Sequence, residues 1–320
     1  MAETVIVLVH GEVLANGHGS RIPDQRLNAG ALASGLMPIL STDLQVVIMH
    51  GNKPQVGFVL FRSELASHVL HTIPLDLCGA DTQGATGYII SQAVLNVLHG
   101  HKRNRQVMCV ITQTLVDTSG LNEGVQTRAI GPWFDREKAE QYRQTRKWMI
   151  VEEPGRGYRR AVPCLPALEI LEIDGIRRLV EVGDIVIAGG GGGVPVARNA
   201  QGELEGIEAV IETEQLACMM GKQLQANILL MIIERDNKFL LSGLSVESLL
   251  RLTLEELDEI ISTRMSSIDS HSVQRTLLAA SNFLHGGGKQ VIITTLKKLP
   301  ETLAHQNGLW LGSKNLPVLF

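Results

Sequence analysis

The chain has 320 residues, 44% of them apolar and 19% charged, with a formal net charge of -4 at pH 7. That balance excludes a disordered or fibrous chain and fits a large core of sheet covered by helices. The acidic balance also excludes the electrostatic footprint of a nucleic-acid binder, and the one basic cluster, residues 101–105 (HKRNR), reads as a solvated loop. The longest apolar run, Ile228–Ile233, is far short of the roughly 20 residues a membrane-spanning helix needs. The N-terminus has no basic region ahead of its short apolar run, so the expectation is a cytosolic chain. Cys78, Cys109, Cys164 and Cys218 are too scattered for a zinc or redox pair, and His99 with His101 lacks a third ligand nearby. No metal site built from protein ligands alone is expected.

In chain order, a β-branched run at 4–9 predicts a strand and the apolar spacing at 26–40 a helix; a strand at 44–49 and helices at 56–68 and 85–98 follow. A strand is predicted at 106–112. Residues 117–157 then break the alternation with mixed charge, Trp133 and Trp148, and read as an excursion able to cover a cleft mouth as a lid. Beyond it come a helix at 168–182, a strand at 184–188, a helix at 212–225 and a strand at 227–233. Helices at 254–262 and 272–284 and a strand at 289–296 complete the pattern. Thr253 and Glu256 have capping-box spacing at a helix start. The strands are apolar continuously rather than at alternate residues, which is what strands covered on both faces require. The predicted fold class is therefore α/β, a three-layer αβα sandwich with a mainly parallel central sheet.

Three glycine-bearing loops follow predicted strands: His10-Gly11; Gly51-Asn52-Lys53-Pro54; and the five glycines at 189–193. In an open parallel sheet the carboxyl ends of strands form the ligand crevice, and glycine lets backbone N–H groups approach phosphate oxygens. None of the three is a P-loop or dinucleotide fingerprint, and each alone is compatible with a tight turn. Five consecutive glycines carry an entropic cost of about 0.5–1 kcal/mol each relative to alanine in regular structure, which close approach to a ligand would explain.

Seven blocks carry a resemblance. They are HGNKPQVG at 50–57, ADTQG at 80–84 with Gly87-Tyr88, Thr112-Gln113, Ile130-Gly131-Pro132, GRGYRR at 155–160, GGGGGVP at 189–195 and EAVI at 208–211. In this order the chain resembles the carbamate kinases, a branch of the amino-acid kinase fold, from about residue 4 to residue 312. The resemblance implies a homodimer that uses Mg²⁺ with ATP or ADP to interconvert carbamate and carbamoyl phosphate. It implies an N-terminal lobe of about residues 1–205 holding carbamate or carbamoyl phosphate near Gly11, Gly51, Asn52 and Arg128. It implies a nucleotide-side lobe of about 206–320, with Gly190, Gly191, Gly192 and Gly193 as amide donors and Glu212, Glu234 and Asp236 toward nucleotide and magnesium.

The chain departs from the family pattern at charged positions. Gly-Gly-Asn of the first loop is His10-Gly11-Glu12 here, and Thr-Lys-Pro-Ile-Gly is Thr127-Arg128-Ala129-Ile130-Gly131. Val-Ile-Asp-Lys-Asp is Val210-Ile211-Glu212-Thr213-Glu214, which removes a lysine, and a second phosphate lysine falls where Arg275 or a neighbour stands. Phosphoryl transfer depends on cations that neutralise the transferred group, so these losses predict a weakened or lost reaction unless Lys53, Arg128 or Arg275 substitutes. Lys53, in place of a glycine, has three readings: a partner for Glu12, a solvated side chain or a contact for an anionic ligand. Three functions follow: a ligand-binding or regulatory relative, a working kinase with a rearranged cation set, or a structural dimer partner. Convergence of the three cations on one crevice is what the enzyme reading requires.

Overall fold

The computed structural model describes residues 3–15, 21–119, 121, 125–153, 155–234, 250–268 and 270–313. Its central sheet has eight strands, ordered Leu250–Leu252, Leu309–Gly312, Gln290–Thr295, Ile228–Ile233, Thr4–Val9, Gln45–His50, Ile185–Ile187 and Val107–Cys109. Every neighbouring pair is parallel except Leu309–Gly312 against Gln290–Thr295.

The continuous apolar runs have the predicted cause. Ile6, Leu8, Val47, Met49, Met231 and Ile293 feed one core, while their alternate neighbours Val5, Val7, Val46, Ile48, Leu230 and Ile292 feed the other. Successive side chains of a strand point to opposite faces, so a strand buried on both must be apolar throughout. Helices Ile173–Glu181, Thr213–Leu224 and His271–His285 contribute to the first core, and helices Ile22–Gly35 and Leu75–Gly100 to the second. The fold is thus the expected three-layer αβα sandwich. Thr253 and Glu256 form the expected capping box at the start of helix Leu254–Arg264.

Two features differ from expectation. A second sheet, Leu204–Gly206, Val194–Arg198, Gln113–Val116 and Ala167–Ile170, flanks the sandwich. Residues 168–182 are accordingly not one helix: they begin in strand Ala167–Ile170 and become helical only at Ile173–Glu181. The burial pattern of Ala167–Ile170, buried-exposed-exposed-buried, has helical i, i+3 spacing rather than strand alternation, and pairing with Gln113–Val116 makes the run a strand all the same.

The excursion is a three-stranded antiparallel sheet, Thr127–Phe134, Gly157–Pro163 and Met149–Glu153, with helix Arg136–Arg146 across it. Phe134, Tyr142 and Trp148 pack with ring centroids 4.8–6.0 Å apart, and Phe61 of helix Lys53–Leu65 makes edge contacts 5.7 Å from all three. Gly57 and Gly131 let that helix touch the strand backbone to backbone, since a Cβ on Gly57 would lie 2.1 Å from the Gly131 nitrogen. The body therefore presents Lys53 at one end of a helix whose middle grips the excursion.

Candidate functional site

A cavity of about 910 Å³ opens at the carboxyl ends of strands Thr4–Val9 and Ile228–Ile233. Its floor is His10, Gly11, Glu12, Gly51 and Lys53; one wall is Thr213, Glu214, Ile233 and Glu234. The excursion supplies Gln126, Thr127, Arg128, Glu152, Arg156 and Arg159, and the start of helix His271–His285 supplies Ser272, Gln274 and Arg275. The excursion is thus a wall of the cleft.

Lys53, Arg128 and Arg275 converge, and what they converge on is a carboxylate. Glu212 Oε2 lies 3.1 Å from Lys53 Nζ and 3.4 Å from Arg275 Nε, while Arg128 Nε donates to Glu212 Oε1. Lys53 therefore pairs with Glu212, not with Glu12. Glu212 is 8% exposed and immediately precedes helix Thr213–Leu224, so the fold delivers it from behind while the three cations line the cavity. Arg128 is further fixed by bonds from its guanidinium to the Thr127 carbonyl at 2.7 Å and Gln126 Oε1 at 3.3 Å.

Next to this cluster, burial pushes the Glu214 carboxyl up, but Lys53, His10 and Arg275 outweigh it and hold Glu214 well below the ordinary carboxylate range. Burial lowers the Lys53 ammonium from its usual value against the pull of Glu214. Burial likewise lowers His10, more than Glu214 and Glu12 raise it. His10 Nε2 stands 3.8 Å from Glu214 Oε1 as a neutral ring at neutral pH, beside a carboxylate that stays ionised. Glu12 faces the cavity. On the far wall Arg156 and Arg159 stack over Trp133, 4.6 and 4.9 Å from its centroid, and Arg156 approaches Glu234 at 3.9 Å.

The glycines at 190–193 are not among the residues lining this cavity; they are buried, and each approaches protein atoms. A Cβ on Gly190 would lie 2.6 Å from the His50 ring, on Gly191 2.3 Å from the Asn52 amide, on Gly192 2.8 Å from Ile211 and on Gly193 2.0 Å from Thr114 Oγ1. Asn52 is itself buried and donates to Thr82 Oγ1 at 2.7 Å. Thr112 and Gln83 exchange two hydrogen bonds, and the Thr112 hydroxyl accepts from the Gly189 nitrogen at 2.8 Å. Several resemblance blocks therefore meet in one buried polar network beneath the cleft. Gly11 and Gly51 pack backbone to backbone at the cavity floor, where a Cβ on Gly51 would lie 2.6 Å from the Gly11 nitrogen. Asp236 lies outside the described residues.

Sequence reasoning picked the three cations but missed Glu212 as their hub, and it named neither Glu214 nor Arg156 and Arg159 among the site residues. The signals were present in the blocks at 208–214 and 155–160, where charged residues surround glycine or strand ends.

Fold and cavity define an α/β sandwich with a charged cleft at the carboxyl ends of its parallel strands. The chain is 35% identical over 313 residues to the carbamate kinase of Pyrococcus horikoshii, spanning 96% of this chain and 98% of that protein. It is 33% identical over 316 residues to the carbamate kinase-like protein YahI of Escherichia coli, again across 96% and 98%. The chain belongs to the carbamate kinase family. Among solved structures it is similar to carbamate kinase from Giardia lamblia bound to citric acid, with a TM-score of 0.84 and 27% identity over 97% of this chain and 98% of that one. The same enzyme bound to AMP-PNP gives a TM-score of 0.80 with the same coverages. No family model matches the chain.

Proposed function

We propose that this carbamate kinase-like protein binds a small anion in the cleft, and that its phosphoryl transfer between ATP and carbamate is lost or strongly weakened. One observation carries the reading: Lys53, Arg128 and Arg275 are all engaged by Glu212. Transferring a phosphoryl group requires preorganised positive charge aimed at the charge developing on it. Here that charge is already opposed, and Thr213 stands where the family resemblance places a lysine. The ligand would be ATP or ADP with carbamate or carbamoyl phosphate, or a related anion. Lys53, Arg128 and Arg275 would contact the anion, Gly11 and Gly51 would form the floor, and Glu234 would lie toward the nucleotide. A homodimer in the cytosol is part of the proposal and rests on the resemblance; no helix among the described residues is long and apolar enough to cross a membrane.

Magnesium fits such a site in one mode. Among the described residues no group of three or more His, Cys, Asp or Glu side chains gathers to hold a metal by itself. Mg²⁺ is ordinarily carried by substrate phosphates with one or two carboxylates, and Glu214, ionised and lining the cavity, suits that role. When bound, the ion would neutralise phosphate charge.

A second reading, a working kinase with a rearranged cation set, is favoured by the convergence of three cations on one side of one cavity. ATP formation from ADP, carbamoyl phosphate and Mg²⁺ separates the two. A Lys53→Ala/Arg275→Ala double variant, purified identically, reports contaminating kinase. The expected result is equal, background-level turnover in both; turnover of the native chain clearly above the variant would replace the first reading with the second.

A further inference from the structure

Among the described residues that line the cavity, Glu12 is the carboxylate that is half-buried and has no counter-ion. Glu214 is held by Lys53, His10 and Arg275, Glu234 faces Arg156 at 3.9 Å, and Glu152 is exposed. Glu12 makes no hydrogen bond or ion pair with any described residue and meets Lys53 and His10 only through their fields. Its place is set by the backbone. Gly11 packs on Gly51, and Val13, Leu14 and Ala15 of the same short helix, Gly11–Ala15, are buried. The helix cannot turn Glu12 away from the cavity without bringing apolar side chains into water. A charge held partly out of water without a partner is costly, and a counter-charge brought by a ligand removes that cost.

The cavity floor also departs from the family pattern by gaining one charge of each sign. Glu12 stands for an asparagine and Lys53 for a glycine, and both line the cavity. They do not pair with each other, because Lys53 donates to Glu212; two of the three Lys53 N–H groups remain for a ligand. We propose that Glu12 and Lys53 form a dipolar subsite for a small zwitterion, with the ligand's ammonium group on the Glu12 carboxylate and its carboxylate on Lys53. This rests on the reading that the cleft binds a small anion, and it narrows that anion to a carboxylate that also carries an amino group. Such a ligand brings no net charge to cations that Glu212 and Glu214 already oppose, and each of its ends meets an opposite charge. A plain carboxylate of the same length leaves Glu12 unpaired and is repelled by it.

The test uses the full chain at pH 7, without magnesium and at constant ionic strength. Glycine, β-alanine and γ-aminobutyrate are titrated by calorimetry beside acetate, propionate and butyrate, the same chains without the amino group, so that ligand length finds the spacing of the two charges. At least one amino acid should bind about tenfold or more tightly than its plain counterpart. Glu12→Gln should bring that ratio to about one, because the ammonium group loses its partner. Glu12→Asp, which keeps the charge, should preserve the preference, a rescue that a merely structural glutamate would not show. Equal affinities within every pair for the native chain, or a preference that survives in Glu12→Gln, overturn this inference and leave the anion-cleft reading standing. Binding of inorganic phosphate with none of the carboxylates does the same. Absence of binding by every probe, phosphate included, in the native chain and both variants overturns the anion-cleft reading and this inference with it.

Discussion

Two sets of glycines follow strands of the same parallel sheet and serve different ends. Gly11 and Gly51 touch each other at the floor of the cavity, beside Glu12 and Lys53. The run at 189–193 is turned inward against His50, Asn52, Ile211 and Thr114, with positive φ at Gly189, Gly191, Gly192 and Gly193. In both regions the missing Cβ makes room for other parts of the protein, but the first contact borders the cavity and the second does not. A run of glycine after a strand therefore does not by itself say which side the space is on. The neighbouring side chains do, and here the sealed side carries His50 and Asn52 from the adjacent strand end.

The largest effect expected from this contrast is at Gly191. Any side chain there meets the Asn52 amide and must adopt φ of 66°, so Gly191→Asp adds strain, a clash and a buried charge together. Each is among the causes of losses above ~4 kcal/mol, and the variant should fail to accumulate as folded protein. Gly30→Ala, in a helix where a Cβ would meet nothing within 4 Å, should express normally. A well-folded Gly191→Asp would show that the run is not sealed.

His50 gives a pH signature of the same region. Its ring is 1% exposed, and burial lowers it from 6.5 to about 4 despite the Gly51 carbonyl 3.3 Å from Nδ1. The folded state holds the neutral ring, so its contribution is complete above the unfolded value of 6.5 and is lost as pH falls from there through about 4. A depression of this size corresponds to roughly 3 kcal/mol. Urea unfolding of the native chain and His50→Gln at pH 7 and pH 4 should show the native chain losing about that much more stability. Parallel pH profiles would sink the assignment. His10 and Glu214 are unchanged in both chains and drop out of the difference.

At the open side the effect moves from stability to binding. Arg275→Ala removes a cation that faces both the cavity and Glu212. Phosphate affinity should weaken about tenfold, or ~1.4 kcal/mol, with a smaller change in Tm than at Gly191. An Arg275→Ala chain that binds phosphate as before would place the anion elsewhere in the cavity.

Legibility in the sequence follows the same division. The central sheet could be read because each strand is buried on both faces and so is apolar throughout, as in Ile228–Ile233. Strand Gln113–Val116 could not, because it is four residues long with alternating burial that a loop also tolerates. In the cleft, Lys53, Arg128 and Arg275 were legible as cations in or beside family blocks. Their shared partner was not, since Lys53 and Glu212 are 159 residues apart and only the folded chain brings their side chains together. Composition could mark the glycine run but not its direction, which is set by side chains from strand Gln45–His50 and its following turn.

The smallest predicted effect tests whether stability and binding separate as this contrast requires. Thr253 Oγ1 accepts from the Glu256 nitrogen at 3.2 Å, and Glu256 Oε2 accepts from the Thr253 nitrogen at 2.7 Å, closing the start of helix Leu254–Arg264. Neither residue lines the cavity. Thr253→Ala leaves an amide of the first turn without its side-chain acceptor and should cost about 1 kcal/mol. In a chain of this length that is a fall in Tm of about 2 °C or less. Phosphate affinity, measured on the same samples, should stay at the native value. A cap variant that lost binding in step with its small loss of stability would mean that the cleft is coupled to the whole sandwich. The effect at Arg275 would then need to be read against that coupling rather than as loss of a contact.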